Sequence, residues 1–249
     1  MTKCEPSFAS WASPALPVLE DGRKRLDISD GSLEALKWLA LVCMTIDHVN
    51  KYLFAEKLPG AFELGRLAMP LFGFVLAYNL ARPGALQSGA IFRTIKRLSL
   101  YGLAATPFFI GLSGLALGWW PLNIMFMLLV ATCTIYLAGK KGAFWSMAAA
   151  ATFSVGGAFV EFWWFGLAFC IAAWWYCKTL SKCALLAWLL AAASLYAVNR
   201  NLWAMAAMPV ILATPLLQLK LPRFRHLFYA YYPVHLAALL ISIVLGIRV

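Results

Sequence analysis

Residues 33–53 read LEALKWLALVCMTIDHVNKYL, an apolar run long enough for a transmembrane helix. A helix rises about 1.5 Å per residue, so about 20 residues cross a hydrocarbon core of roughly 30 Å. Over all 249 residues, 63% are hydrophobic and 12% are charged. A soluble domain carries about 25% charged residues, so this chain cannot cover its apolar surface in water. The sequence therefore predicts an all-α, polytopic membrane helical bundle.

Nine apolar segments follow one another along the chain. They are predicted near 33–53, 61–81, 98–116, 122–138, 143–160, 162–177, 183–199, 202–219 and 227–247. The fifth and sixth are short and closely joined, so eight or ten spans are alternatives. Residues 31–249 thus form the predicted transmembrane helical domain. Residues 1–30 are polar and lack the apolar stretch of a signal peptide, which predicts a flexible cytoplasmic tail.

The distribution of basic residues gives the orientation, because cytoplasmic loops are enriched in Lys and Arg. With the N-terminus inside, 15 of the 21 basic residues lie in cytoplasmic segments: Lys3, Arg23, Lys24, Arg25, Arg82, Arg93, Lys96, Arg97, Lys140, Lys141, Lys178, Lys182, Lys220, Arg223 and Arg225. Four lie on the opposite side: Lys51, Lys57, Arg200 and Arg248. This alternation supports about nine spans and a cytoplasmic N-terminus.

The formal net charge of +11 fits a membrane protein. Basic loops set topology and contact anionic lipids, so the lipid bilayer is the expected partner. No basic stripe or motif forms a surface for reading bases, so nucleic acid is not expected as a partner. The histidines and cysteines lack metal-type spacing, so no metal site is predicted.

Three ionisable residues are predicted to converge inside the membrane, where isolated charges are costly. His48 lies about 22 Å along the first span, counted from Leu33. Arg66 lies at a similar depth on the antiparallel second span. Adjacent helical residues point in different directions, so we expect Asp47 to pair with Arg66 while His48 faces a cavity. The alternative is that Asp47 pairs with Lys51, one turn later, and His48 only hydrogen-bonds a neighbouring helix.

The last span contains another histidine. His235 lies about 12 Å from the inner end of this span, near its middle. Tyr231 and Tyr232 precede it by one turn and share its face. Pro233 lacks a backbone donor and can free a carbonyl to line a cavity. His235 is therefore either part of a polar site or a hydrogen-bonded core residue.

The segment from Arg82 to Arg97 is predicted to be a cytoplasmic loop, with Arg93 between these two residues. Guanidinium groups bind phosphates through two parallel hydrogen bonds. The same residues also serve as a plain topology signal. The sequence alone leaves both interpretations open.

Three runs together resemble the TraX family. They are ALVCMTIDHVNKYLF at 40–54, LGRLAMPLFGFVLAYNLAR at 64–82 and FYAYYPVHLAALL at 228–240. The resemblance lies in Asp-His, then Gly-Arg with Pro-Leu-Phe, then Tyr-Pro-x-His, in this order. The positions that match are Asp47, His48, Asn50, Gly65, Arg66, Pro70, Tyr232 and His235. Met69 departs from the family's pattern, in which an aromatic or small residue is commoner.

The resemblance implies a function. TraX-like proteins are acetyltransferases of the bacterial inner membrane that act in conjugation, the transfer of plasmids between cells. The expected reaction moves an acetyl group from acetyl-CoA to the N-terminus of a conjugative pilin subunit. Acetyl-CoA is then the acetyl donor, and the pilin subunit is the protein partner.

Acetyl transfer to an amine needs a base and a group that stabilises the oxyanion, and we assign these roles to the candidate residues as a hypothesis. His48 would be the general base, because imidazole accepts protons near neutral pH. Asp47 would support His48 electrostatically or act as the base itself. Arg66 would hold Asp47 ionised or face the oxyanion. His235 is the fourth expected catalytic residue, and whether it or His48 is the base stays open.

The remaining assigned residues would bind the two substrates. His235 and Tyr232 would position the thioester or the substrate, and Asn50 is a further expected substrate- or cofactor-binding residue. Arg82, Arg93 and Arg97 would bind the CoA phosphates. Two other classes of function also fit buried charges. A transporter would use them as a proton or substrate path, and a non-catalytic membrane subunit of the transfer apparatus would use them to hold helices together.

Overall fold

The computed structural model describes residues 26–85, 87–113, 118–224 and 226–247. All regular secondary structure in these ranges is helical. The helices are α1 Asp30–Leu53, α2 Pro59–Gly65, α3 Ala68–Ala81, α4 Ala90–Ser113, α5 Ile124–Ala138, α6 Ala143–Phe159, α7 Trp163–Thr179, α8 Lys182–Ser194, α9 Tyr196–Asn199, α10 Ala207–Ala213 and α11 Leu227–Val244, with 3₁₀ turns at Trp203–Ala206 and Thr214–Leu216.

The predicted tail, residues 1–30, is described only from Leu26 onward. Ile28 is buried, and its backbone N–H donates to the Tyr78 hydroxyl at 3.0 Å. Helix α1 starts directly afterwards, because the Ser29 hydroxyl accepts from the Ser32 backbone N–H at 3.1 Å and caps the first turn. The end of the predicted tail is therefore attached to α3 through Tyr78.

The second predicted span, 61–81, is interrupted in the structure. Helix α2 ends at Gly65, and α3 starts at Ala68. Pro70 lacks a backbone N–H, so it cannot donate to the carbonyl of Arg66 four residues earlier. The chain instead makes tighter bonds, from the Arg66 N–H to the Glu63 carbonyl at 3.1 Å. Arg66 lies at this break and lines the cavity described below.

The core of the bundle is aromatic and lies between α3, α7 and α8. Phe74, Phe169 and Trp188 are fully buried. The Phe74 and Trp188 rings stack with their centroids 5.4 Å apart. Helix α11 packs against α4 and α1 on the other side, which brings the last helix next to the first.

The outer surface of the bundle is apolar. Phe144, Met147, Leu216 and Val244 are each at least 71% exposed. Large apolar patches of this kind mark a surface that contacts lipid or another protein. Among the described residues, three helical stretches are long and apolar enough to cross a membrane: Pro59–Ala81, Lys182–Asn199 and Leu227–Val244. The chain is thus an all-helical protein with membrane character.

The segment 82–97, predicted to be a loop, is partly helical. Helix α4 begins at Ala90, so Arg93 and Arg97 lie on its first turns. The prediction was wrong because hydropathy marks where lipid begins, whereas a helix continues into water when its hydrogen bonds and packing allow it. The helical spacing places both guanidinium groups on a rigid element instead of a loop.

Candidate functional site

Asp47 and Arg66 form an ion pair between α1 and the break after α2. Nη2 of Arg66 donates to Oδ2 of Asp47 at 2.6 Å. Arg66 also donates to the Phe62 carbonyl at 3.2 Å and to Oδ1 of Asn199 at 3.5 Å. Arg66, and not Lys51, is therefore the partner of Asp47, as the depth argument predicted.

The close approach of the two helices depends on a glycine. A Cβ atom added to Gly65 would lie 2.3 Å from Cβ of Asp47. No side chain fits at that distance, so only glycine lets α2 contact α1 at the Asp47 turn. Gly65 therefore helps to set the geometry of the ion pair beside it.

His48 and His235 form a second polar pair, between α1 and α11. Nδ1 of His48 lies 2.7 Å from Nε2 of His235. Nδ1 of His235 lies 3.0 Å from the Tyr231 carbonyl, which can only accept. In the neutral pair, Nδ1 of His235 is thus the donor and its Nε2 is the acceptor. His48 must then carry its hydrogen on Nδ1, which leaves Nε2 of His48 as its basic nitrogen.

Tyrosines surround the histidine pair, as the spacing in the last span predicted. The Tyr231 ring stacks on His235 with centroids 5.1 Å apart, and its hydroxyl lies 2.8 Å from Oγ1 of Thr45 on α1. Tyr232 is buried, with its ring centroid 5.5 Å from that of His235. These contacts fix the orientation of His235 from two sides.

One cavity of about 700 Å³ passes beside these groups. Residues at what we call the polar end of its lining are Asp47, His48, Arg66, Glu161 and Tyr232. Residues at what we call the basic end are Lys37, Arg82, Arg93, Arg97 and Arg223. Helix α1 runs between them, and Lys37 and His48 are about 16 Å apart along it. His235 lies behind His48 and outside this lining.

The basic end is held by a carboxylate that is half-exposed. Asp30 forms an ion pair with Nη2 of Arg82 at 2.5 Å and a longer one with Nη1 of Arg223 at 3.7 Å. The hydrogen bond from Arg82 lowers the pKa of the Asp30 carboxyl below its usual value. Asp30 is thus ionised at neutral pH and is the counter-ion of two guanidinium groups of the basic end.

The two other arginines assigned to phosphate binding, Arg93 and Arg97, reach the same end from α4. The Arg97 guanidinium lies 5.9 Å from the Tyr229 ring centroid. Lys37 lies over the Phe228 ring at 4.5 Å and pairs with Glu34. The structure therefore brings the predicted arginines together in the lining of one cavity.

Asn50 is not brought to the cavity. Its side-chain amide donates to the Leu58 carbonyl at 3.0 Å and accepts from the Leu58 N–H at 3.0 Å. Its backbone carbonyl accepts from Phe54 and Glu56. Asn50 therefore closes the α1–α2 turn, and its substrate-binding role, predicted from the resemblance, has no support in this geometry.

Four residues of the site were missed by sequence reasoning: Lys37, Glu161, Asn199 and Arg223. Lys37 and Arg223 looked like interfacial charges, and Asn199 and Glu161 lie at the ends of apolar segments. Burial raises the pKa of the Glu161 carboxyl to about 7, with Lys51 and Arg66 opposing this shift. For Glu161, the only signal in the sequence was that a single acidic residue lies between two apolar segments.

The arrangement can hold an anion at one end and accept a proton at the other. The basic end supplies several cationic donors, and the polar end supplies the imidazole of His48 and the guanidinium of Arg66. In the described part of the chain, His, Cys, Asp and Glu form no group of three that could hold a metal ion.

Comparisons with known proteins agree with the motifs. The chain is 34% identical to Protein TraX of Escherichia coli over 122 residues, which are 49% of this chain and 46% of that protein. It is 48% identical to the uncharacterized protein RP591 of Rickettsia prowazekii (strain Madrid E) over 46 residues, 18% of each chain. The matched segments thus span less than half the length of these relatives. No solved structure matches the chain significantly.

A profile described as TraX protein matches residues 32–243. This range includes α1, α11 and every helix between them apart from their outermost residues. It contains the Asp47–Arg66 pair, the His48–His235 pair and the arginines of the basic end. Because the match covers most of the chain, the protein belongs to the TraX family.

Proposed function

We propose that this protein is a membrane-embedded acetyltransferase that transfers an acetyl group from acetyl-CoA to the N-terminus of a conjugative pilin subunit. The observation that carries the proposal is that one cavity lining contains both the basic end and His48, whose Nδ1 contacts His235. The acceptor and the conjugative context come from the family resemblance. We further propose nine spans in the bacterial inner membrane with the N-terminus in the cytoplasm, which follows from the alternation of basic segments.

The basic end suits the phosphates of CoA. Arg82, Arg93 and Arg97 line the opening that this topology assigns to the cytoplasm, where acetyl-CoA is made. The pantetheine arm of CoA is long, narrow and mostly apolar, and about 16 Å of cavity separates Lys37 from His48 along α1. A bound acetyl thioester would then extend from the basic end toward His48.

The polar end suits acyl transfer to an amine. An α-amino group has a pKa of about 7.7–8.0, so a positioned imidazole can deprotonate it near neutral pH. The amine nitrogen attacks the acetyl carbonyl carbon, and Nε2 of His48 accepts the proton from that nitrogen. The C–N bond forms, the C–S bond breaks, and the CoA thiolate leaves with the proton from His48. Arg66 is a cation close enough to the same end to stabilise the oxyanion.

The test is intact-mass analysis of a pilin subunit co-expressed with this protein. Wild type should add the mass of one acetyl group to the pilin N-terminus, and His48→Ala should abolish that addition while protein level and membrane insertion persist. The matched control is His226→Ala, because His226 is exposed and outside the cavity lining. Unchanged acetylation in His48→Ala would refute the assignment of the base.

A transporter is the second candidate, because one cavity lining reaches from the basic end to the polar end. Such a protein would move a substrate or protons through proteoliposomes and would not be stabilised by CoA. An acetyltransferase would show saturable thermal stabilisation by CoA and no flux. Flux without CoA binding would therefore decide for the transporter.

A further inference from the structure

Glu161 lies in the short connection between α6 and α7 and lines the polar end of the cavity. Its backbone N–H donates to the Leu122 carbonyl at 2.9 Å, and the Leu122 N–H donates to the Phe159 carbonyl at 2.7 Å. These two bonds join the connection to the segment before α5. The backbone that carries Glu161 is therefore held on both sides.

The turn that follows Glu161 is strained. Phe162 and Trp163 adopt φ values of 59° and 49°, in the left-handed region that non-glycine residues rarely occupy. Such conformations persist only where surrounding contacts hold them, and they cluster at functional sites. Here the turn holds Glu161 at the cavity and also brings Phe162 into the lining.

Glu161 is the carboxylate at the polar end that forms no ion pair within the described residues. Asp47, in contrast, is bound directly by Arg66. The cations that act on Glu161, Lys51 and Arg66, do so at longer range, together with the backbone N–H of Ile124. A carboxylate taken out of water without a direct counter-charge is unfavourable, so a cation that enters the cavity gains from contact with it.

The neighbours of Glu161 also suit an ammonium group. Tyr232 is close enough to interact electrostatically with Glu161, and Tyr52 and Phe162 line the same part of the cavity. Aromatic faces attract ammonium groups, and this attraction adds to that of a carboxylate. Tyr52 also lies against His48, with ring centroids 5.9 Å apart. The polar end therefore places aromatic rings near both Glu161 and the imidazole pair.

We propose that the polar end of the cavity binds a protonated primary amine, with the Glu161 carboxylate as its direct counter-ion. The proposal rests on the proposed function in one respect, since it identifies the amine as the acceptor in its resting, charged form. It can be tested separately from that function, since amine binding can be measured without acetyl transfer. A chain with a free N-terminus would bind, and the same chain with an acetylated N-terminus would not.

The experiment measures binding of triglycine amide with a free N-terminus to the purified full chain, by thermal shift at neutral pH. The comparison ligand is N-acetyl triglycine amide, which has the same backbone without the charge. Wild type should be stabilised by the free amine only. Glu161→Gln should weaken this binding about tenfold, the size expected for one charge-assisted hydrogen bond.

The matched control is Glu56→Gln. Glu56 also lines the cavity but is more exposed than Glu161, so this change removes the same charge and leaves the Glu161 carboxylate in place. Binding of triglycine amide should change less than about twofold in this variant. Elution volume and thermal midpoint without ligand show whether Glu161→Gln has kept the fold, and Glu161→Asp should retain part of the affinity.

Two results would overturn the proposal: equal binding by Glu161→Gln and wild type, or equal binding of the acetylated and free peptides. Amine binding that depends on Glu161, in a protein that never acetylates pilin, would reject the proposed function alone. Acetyl transfer that proceeds equally well in Glu161→Gln would leave the function standing and reject the role of Glu161.

Discussion

The two ends of the cavity hold their charged groups in different ways. At the polar end, Arg66 makes three hydrogen bonds, and its side chain and that of Asp47 are only 17% and 13% exposed. At the basic end, Arg82 pairs with an Asp30 side chain that is 56% exposed. A mostly buried group with several hydrogen bonds is held in place before any ligand arrives, whereas a half-exposed pair exchanges partners with little loss. This difference fits the proposed function, in which the polar end holds the reacting groups and the basic end binds and releases CoA.

The largest expected effect is on kcat, after a substitution behind the polar end. His235→Ala removes the acceptor that orients Nδ1 of His48, so we expect kcat for acetyl transfer to fall about 100-fold with the KM for acetyl-CoA unchanged. His235→Gln keeps a hydrogen-bond acceptor and should retain more activity. Steady-state kinetics with purified protein checks this prediction. A change in KM alone would mean that the histidine pair binds substrate and does not assist proton transfer.

The two ion pairs should differ in how much each contributes to the free energy of unfolding. Arg66→Ala leaves Asp47 buried without its partner and should lower the free energy of unfolding by about 3 kcal/mol. Arg82→Ala breaks the more exposed pair and should cost less than about 1 kcal/mol. Unfolding titrations in mixed detergent micelles measure both values.

A double substitution is the control for this comparison. Asp47→Asn combined with Arg66→Gln removes both charges and should be more stable than Arg66→Ala alone. Equal losses from Arg66→Ala and Arg82→Ala would contradict the distinction between a fixed polar end and an exchangeable basic end.

The smallest expected effect concerns the anion site itself. Asp30→Asn removes the carboxylate that occupies Arg82 and Arg223, so the affinity for CoA should rise about threefold. Asp27→Asn removes the same charge from the same segment and should leave this affinity unchanged. Isothermal titration with CoA measures both. Weaker CoA binding in Asp30→Asn would show that Asp30 orients the arginines instead of competing for them.

Helix geometry made part of the site predictable. Residue counts along the first two predicted spans place Asp47 and Arg66 at a similar depth in the membrane. Their pairing could therefore be expected from sequence alone. The His48–His235 contact joins α1 to α11, which are far apart in the chain, and no local rule states that these helices are neighbours. Both histidines were identified as candidates, but their hydrogen bond depends on tertiary packing.

Other features left little trace in the sequence. Glu161 is one acidic residue in a short connection, and only the position of that connection over the cavity gives it significance. Asn50 matches a family motif, yet its amide is used to close a turn. Hydropathy located the apolar segments but not the break at Arg66 or the start of α4, because both depend on backbone hydrogen bonds and not on transfer of side chains to lipid.

The amide of Asn50 has a mechanical consequence. Two reciprocal bonds to Leu58 fasten the end of α1 to the start of α2, so these helices move as one rigid hairpin. This hairpin carries Asp47, His48 and Arg66, which form one wall of the cavity. Glu161 and Phe162 line the same cavity from the α6–α7 connection, whose backbone is bonded to Leu122. These groups of the polar end thus sit on two segments whose backbones are each bonded to a neighbouring segment, so a ligand meets them in positions that are set before it binds.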